Sequence, residues 1–155
     1  MSMVKEILIR KGERRLEATL EGGEVVTFPI AVGSDASGPK MREGDRRTPE
    51  GDYFVFARNP ESEFYLSLAI SYPNAVDVER GVNAGLISPK EADEIKVVIE
   101  NKGRPPQKTA LGGEIYIHGG GSDRVGTRGC IGLDNSDMQW LFDRTDNGTP
   151  VKILP

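Results

Sequence analysis

The chain has 155 residues, 37% of them apolar and 28% charged, with a net charge of −4 and a pI near 5.1. That length suits one domain, residues 1–155, with a core of its own. The acidic balance argues against nucleic acid as the main partner, because phosphate binding asks for a basic face. No apolar run approaches the ~18 residues a membrane span requires. A single cysteine leaves no partner for an internal disulfide, and 19 glycines with 10 prolines imply many tight turns.

The amino-terminal "MSMVKEILIR" reads at once as a strand, without the basic, apolar and cleavage regions of a signal peptide. The expected compartment is therefore the cytoplasm, or the periplasm or cell envelope if a leader has been removed. "VKEILIR" (4–10), "RRLEATL" (14–20) and "VVTFPIAVG" (25–33) form three short strands, with "EGGE" (21–24) as a hairpin turn. Pro29 suits an edge or a bulge. The polar stretch 34–52 is a long loop, of a length that is often functional or mobile. Within it "REGDRR" (42–47) reads as a solvated charged segment that could line a cleft, and "TPEG" (48–51) as a β-turn. "YFVFAR" (53–58) and "EFYLSLAISY" (63–72) are two further strands.

Helices are expected in the middle. Ser88 as N-cap, Pro89 at the first helical position and Glu91 at the capping-box position open one, Ala92, Ile95 and Ile99 share its face, and Gly103 stops it. "NAVDVERGVNAG" (74–85) reads as a shorter helix. After a loop at 104–113, "EIYIH" (114–118) is a strand. "NSDMQWLFD" (135–143) reads as a helix with Met138, Leu141 and Phe142 inward and Trp140 in the core. "PVKIL" (150–154) closes as a strand.

Two residue types occur once, His118 in "EIYIHGGG" and Cys130 in "TRGCIGL". A thiol becomes a nucleophile as the thiolate, and an imidazole is its commonest base. A glycine-rich excursion between them can bring the two segments together. Gly129 allows a tight turn whose N–H groups, those of Gly129 and Cys130, would form an oxyanion hole. The competing readings are a buried inert thiol and an ordinary hydrogen-bonded histidine. A zinc site is poorly served, since one Cys, one His and at most Asp123 fall short of the usual ligand set. "GGGSDRVG" matches no phosphate-binding glycine motif. No metal or cofactor is expected. Tyr72 in "SYPNA" reads as a strand-end residue and is also carried as a substrate-binding candidate.

"IYIHG", "TRGCIGL", the short helix after it and the terminal "GTPVKI" strand resemble the L,D-transpeptidase catalytic domain, the YkuD family. Its signature is a His-Gly, a spacer, then Ser/Thr-x-Gly-Cys. "VGSDASGPKMREGDRRTPEGDYFV" and "FYLSLAISYPNAVD" resemble earlier segments of the same family, so the likeness runs from about residue 4 to 154. The resemblance implies a mostly-β, sandwich-like fold with small helices. It also implies cysteine acyl transfer on peptidoglycan stem peptides: the thiol attacks after the third residue of a donor tetrapeptide, D-alanine leaves, and an amine takes the acyl group. Cys130 would be the nucleophile and His118 the base, oriented by the carbonyl of Gly119. Thr127 and Arg128 would flank the pocket. Many members carry His where this chain has Arg128 and Arg where it has Gly132. Arg128, Arg124 or the arginines of "REGDRR" would then receive the stem-peptide carboxylate. Two alternatives share the fold: an L,D-carboxypeptidase or amidase with water as acceptor in murein recycling, and a non-catalytic peptidoglycan-binding module. A carbapenem would acylate a live thiolate and leave the binding module unmarked.

Overall fold

A computed structural model describes residues 1–123 and 126–155. Its strands are β1 (Val4–Arg10), β2 (Arg15–Leu20), β3 (Val25–Pro29), β4 (Gly51–Ser62), β5 (Tyr65–Ile70), β6 (Tyr116–His118), β7 (Ile131–Gly132) and β8 (Pro150–Leu154). They form one mixed sheet in the order β3-β2-β1-β8-β4-β5-β6-β7. The meander β1–β2–β3 is antiparallel, and β8 returns from the far end of the chain to lie parallel to β1 and antiparallel to β4. Pro29 sits in the edge strand β3, where its missing N–H costs no ladder bond.

β4 turns the sheet. Its first residues pair with β8 and its later ones with β5, through two register irregularities that bend it. The sheet curls until its edges approach: beyond β3, Ala31 bridges Gly132 and Gly33 bridges Thr127. The side chains facing inward make the core. Ile7, Ile9 and Leu16 of one half pack with Leu68, Ile70, Ile117 and Ile131 of the other. The sandwich-like expectation is thus realised as two facing halves of one curled sheet.

The helices follow their local signals. α1 (Ala75–Asn83) opens with a capping box between Asn74 and Asp77, and α2 (Pro89–Glu100) with one between Ser88 and Glu91. These two helices bury a smaller cluster of Val78, Ile87, Ala92, Ile95 and Leu111. α3 (Asn135–Asp143) lays Met138, Leu141 and Phe142 on the main core, with Trp140 half-buried against it. The stop of α2 lies one residue earlier than Gly103. Lys102 takes the left-handed conformation (φ 57°), while Gly103 N–H donates to Val98 and Lys102 N–H to Ile99, the paired bonds of a Schellman ending.

Two expectations need correction. "TPEG" is not a turn: residues 48–50 form neither turn nor bend and lead straight into β4, and the turn lies earlier, at Glu43 and Gly44. The reason is long-range, since Thr48 is tied to segments on both of its sides. The strand expected from Glu114 begins instead at Tyr116, because Glu114 itself takes a positive φ of 56°.

Candidate active site

Register places the chemistry. His118 of β6 is paired with Gly132 of β7 on one side and with Ser67 of β5 on the other. Tyr116 is paired with Ala69, and Ala69 in turn with Ala57 of β4. Strand residues alternate faces, so Tyr116 and His118 point away from the core while Ile117 points into it. Two residues back from Gly132, at the mouth of β7, stands Cys130. The same alternation puts it on the face of Tyr116 and His118, as a diagonal neighbour of the imidazole across the β6–β7 pair.

The floor of that face is small. Ala57, Ser67 and Ala69 leave a trough of about 340 Å³, walled by Phe56, Phe64, Tyr116, Glu61, Glu63 and Arg104, with His118 at its side. Gly132 continues the small floor. A Cβ there would meet the Gly121 carbonyl oxygen at 2.9 Å and stand 3.8 Å from the imidazole Cε1. The unexpected glycine of "TRGCIGL" is therefore required locally: the loop after His118 folds back over this position.

His118 is buried, 3% exposed. Its Nδ1 lies 2.6 Å from the carbonyl oxygen of Gly119. A carbonyl only accepts, so Nδ1 carries the hydrogen and Nε2 keeps the lone pair of a base. Phe64 stacks on the ring at 4.7 Å between centroids, which limits its rotation. The glycine loop behind His118 is held by the start of α3: Gly120 N–H donates to Asn135 Oδ1 at 2.8 Å and Ser122 N–H to Asp134 Oδ1 at 2.9 Å.

The loop that carries Cys130 is pinned from inside and outside. Thr127 is buried, and its hydroxyl donates to the Cys130 carbonyl (2.7 Å) and accepts from Gly129 N–H (3.0 Å). In this conformation the Gly129 amide already has a partner, so serving an oxyanion would mean exchanging it. Cys130 is half-buried, with Sγ 3.4 Å from the Glu114 carbonyl oxygen. Tyr116 beside it has its phenol pushed up, first by burial and then by the Glu114 charge.

From outside comes Thr48, fully buried, which sequence reading missed. It accepts from Gly33 N–H and donates to the Gly129 carbonyl, both at 2.9 Å. One hydroxyl thus joins the end of the first half-sheet to the loop that carries Cys130. Thr48→Val keeps the shape but strands a buried donor and a buried acceptor, each costing about 1–3 kcal/mol. We expect a lower thermal midpoint and faster alkylation of Cys130 in the variant, read by thermal melting and by thiol labelling.

The rest of the long loop is also well tied. Lys40 Nζ bonds Asp45 Oδ1 and the Arg42 carbonyl. Burial pushes the Asp45 carboxyl up, but hydrogen bonds from Met41, Lys40, Arg42 and Arg47 outweigh it and hold the group below its usual range. Arg47 is engaged by Asp35 and Ser37, and Arg46 by Ser34, so these arginines serve the loop. Arg128 is exposed on the loop that carries Cys130. Arg124 lies outside the described residues. Tyr72 is a core residue with no exposed surface, its hydroxyl donating to the Leu111 carbonyl at 2.6 Å. Burial pushes its phenol far up, and it has no face to offer a substrate. Among the described residues no cluster of three or more His, Cys, Asp or Glu could hold a metal ion, and no helix is long and apolar enough to cross a membrane.

The L,D-transpeptidase catalytic domain model, YkuD, matches residues 4–153. The chain belongs to the YkuD family. This YkuD domain is 39% identical over 82 residues to YafK of Escherichia coli K12, a protein assigned as an L,D-transpeptidase; the match covers 48% of the chain and 33% of YafK. Among solved structures it resembles Pgp2 of Campylobacter jejuni, a helical cell shape determining protein, with TM-score 0.62 and 25% identity over 98% of the chain and 47% of Pgp2. An L,D-transpeptidase of Mycobacterium smegmatis shares the fold at TM-score 0.58 and 13% identity, over 99% of the chain and 59% of that protein. The chain spans a third of the length of YafK and about half that of Pgp2.

Proposed function

We propose that this YkuD domain is a cysteine acyltransferase acting on peptidoglycan stem peptides, an L,D-transpeptidase. The observation that carries the reading is the register of β6 and β7, which sets His118 and Cys130 on one open face beside a trough. Membership of the family supports it. His118 Nε2 takes the proton of Cys130 Sγ, and the thiolate attacks the carbonyl carbon that precedes the D-alanine of a donor tetrapeptide. The C–S bond forms as the carbonyl π bond opens onto oxygen, where the Cys130 N–H, joined by that of Gly129 once it leaves Thr127, steadies the negative charge. The oxyanion collapses, the C–N bond breaks, and the imidazolium returns its proton to the departing amine. The thioester on Cys130 then passes to an amine acceptor, or to water if none is bound.

The test is mass spectrometry of the products from a purified tetrapeptide donor, with and without an amine acceptor. D-Alanine release with a cross-linked product supports transpeptidation. D-Alanine release alone, acceptor present, turns the assignment to an L,D-carboxypeptidase through the same thioester, since the acceptor and not the fold decides this outcome. A structural neighbour at 14% identity was solved in complex with imipenem, and a carbapenem offers a second readout. A mass adduct on Cys130 marks a live thiolate. No adduct and no turnover, with peptide still bound, would mean a binding module.

A further inference from the structure

The loop that runs into β6 is organised by one side chain, Gln107, which is 7% exposed. Its Nε2 donates to the Tyr72 carbonyl at 3.1 Å and to the Pro105 carbonyl at 2.9 Å, and its Oε1 accepts from Glu114 N–H at 2.7 Å. Two carbonyls and one N–H around the group admit a single orientation of the amide. The chain beyond lies equally close: a Cβ on Gly113 would stand 2.5 Å from the Gln107 carbonyl oxygen. Tyr72 braces the same loop twice, through its carbonyl at Gln107 and its hydroxyl at Leu111.

Glu114 is the residue so held. Its φ of 56° lies in the left-handed region, which a residue with a long side chain enters at a cost and keeps only where its surroundings impose it. Gln107 fixes its N–H, and on its other side Ile70 N–H donates to the Ile115 carbonyl at 2.9 Å. The Glu114 carboxylate points elsewhere, to Lys108 in an exposed pair at 3.3 Å. With the chain tied on both sides the direction of the Glu114 carbonyl is set, and its oxygen lies 3.4 Å from Cys130 Sγ. A carbonyl accepts and a thiol donates, so the bond runs from the Cys130 S–H to the Glu114 oxygen.

We infer that Gln107 is a positioning residue: it holds Glu114 in its left-handed conformation, and the Glu114 carbonyl so aimed takes the hydrogen of the resting Cys130 thiol and keeps Sγ in one place before it reacts. What the sulfur is positioned for rests on the acyl-transfer function proposed above; the hydrogen bond itself does not. A cysteine side chain has three staggered positions for its sulfur, and even a weak S–H···O contact favours one of them. Rotation about the Cβ–Sγ bond then swings the hydrogen without moving the sulfur, so the proton can pass to His118 while Sγ stays placed. Tyr72 thereby serves the site from within the core, through Gln107.

The chain's single cysteine makes the thiol directly visible, since the infrared S–H stretch comes from Cys130 alone. Donation to a carbonyl lowers and broadens that band. In the wild type it should lie below its position in the urea-unfolded protein, and Cys130→Ala should abolish it. Gln107→Leu keeps much of the volume and deletes the amide. Its band should rise to the unfolded position, and the saturating rate of Cys130 acylation by a carbapenem should fall about 10- to 100-fold with the half-saturating concentration unchanged. Adding Glu114→Gly to Gln107→Leu should restore much of both, because glycine takes a positive φ without being braced. Tyr72→Phe removes a buried hydrogen bond from the same loop and leaves the Gln107–Glu114 contact, so the thermal midpoint should drop while the band stays. The inference is overturned by a wild-type band that is absent or at the unfolded position, by a band or acylation rate unmoved in folded Gln107→Leu, by no recovery with Glu114→Gly, or by a Tyr72→Phe band displaced like that of Gln107→Leu. Should Gln107→Leu not fold, the wild-type and Tyr72→Phe bands decide alone. If the bands behave as expected but Cys130 takes no acyl group and no D-alanine is released, the acyl-transfer reading fails and the hydrogen bond stands; turnover with the wild-type band at the unfolded position does the reverse.

Discussion

Replacing His118 by glutamine should lower kcat/KM for a tetrapeptide donor by about 10²–10⁴-fold, the usual worth of a positioned general base. The argument is geometric. The Gly119 carbonyl takes the Nδ1 hydrogen at 2.6 Å, which makes Nε2 the proton-accepting nitrogen of the ring, and His118 pairs with Gly132, two residues from Cys130. Glutamine retains polarity and much of the volume against Phe64 but accepts no proton near neutral pH. The thiol must then ionise without that base. Activity of the variant should therefore climb more steeply with rising pH than that of the wild type, because only the thiolate attacks. A pH–rate profile checks this. A profile of unchanged shape in His118→Gln would mean that the imidazole is not the base.

The second large effect concerns Gly129, whose φ of 131° lies in a region that L side chains rarely adopt. A Cβ there would stand 2.8 Å from the Arg47 carbonyl oxygen and 3.2 Å from Ile115 Cδ1. The first of these is backbone and cannot swing aside. Gly129→Ala therefore combines backbone strain of about 1–3 kcal/mol with a collision, and relief requires the nucleophile loop to lift off the long loop beneath it. A shift of ~1 Å in the thiol is enough to cost about 10²-fold in rate. We expect donor turnover to fall by at least that factor, together with a lower thermal midpoint. Gly22→Ala is the control: its Cβ meets nothing within 4 Å, and both readouts should stay near wild type. A Gly129→Ala protein as stable and active as Gly22→Ala would contradict the account.

Helices and outer strands were legible because their determinants are local. The Ser88–Glu91 and Asn74–Asp77 boxes lie within three residues of sequence, and β8 matches its alternating run residue for residue. That the segments carrying His118 and Cys130 come together was also legible, from the glycine-rich excursion between them, and β6 does pair with β7. What escaped reading depends on remote partners. β7 is two residues long and is a strand only because Ile117 and Ala31 flank it. Thr48 looks like a turn residue until Gly129, 81 positions away, accepts its hydroxyl proton. Tyr72 reads from sequence as a strand-end residue and a substrate-binding candidate, and only packing shows that its hydroxyl is spent on Leu111. Arg104 sits in a proline-bounded loop with no motif, and its place beside the trough comes from Phe56, 48 residues earlier in the chain.

The closure at Gly132 bears on when the thiol becomes competent. The bridges Ala31–Gly132 and Gly33–Thr127 and the Thr48–Gly129 bond span 101, 94 and 81 residues. Contacts of such separation carry the greatest loop-closure entropy and form late in folding. Hairpins β1–β2 and β4–β5 can assemble while residues 127–132 are still an unstructured thiol-bearing segment. The chain therefore reaches its reactive form only after both ends of the sheet have met, and a partly folded molecule carries an ordinary cysteine. Under the proposed function, competence for acyl transfer would arrive with completed folding, so reaction of Cys130 with a carbapenem during refolding would time the last step of assembly.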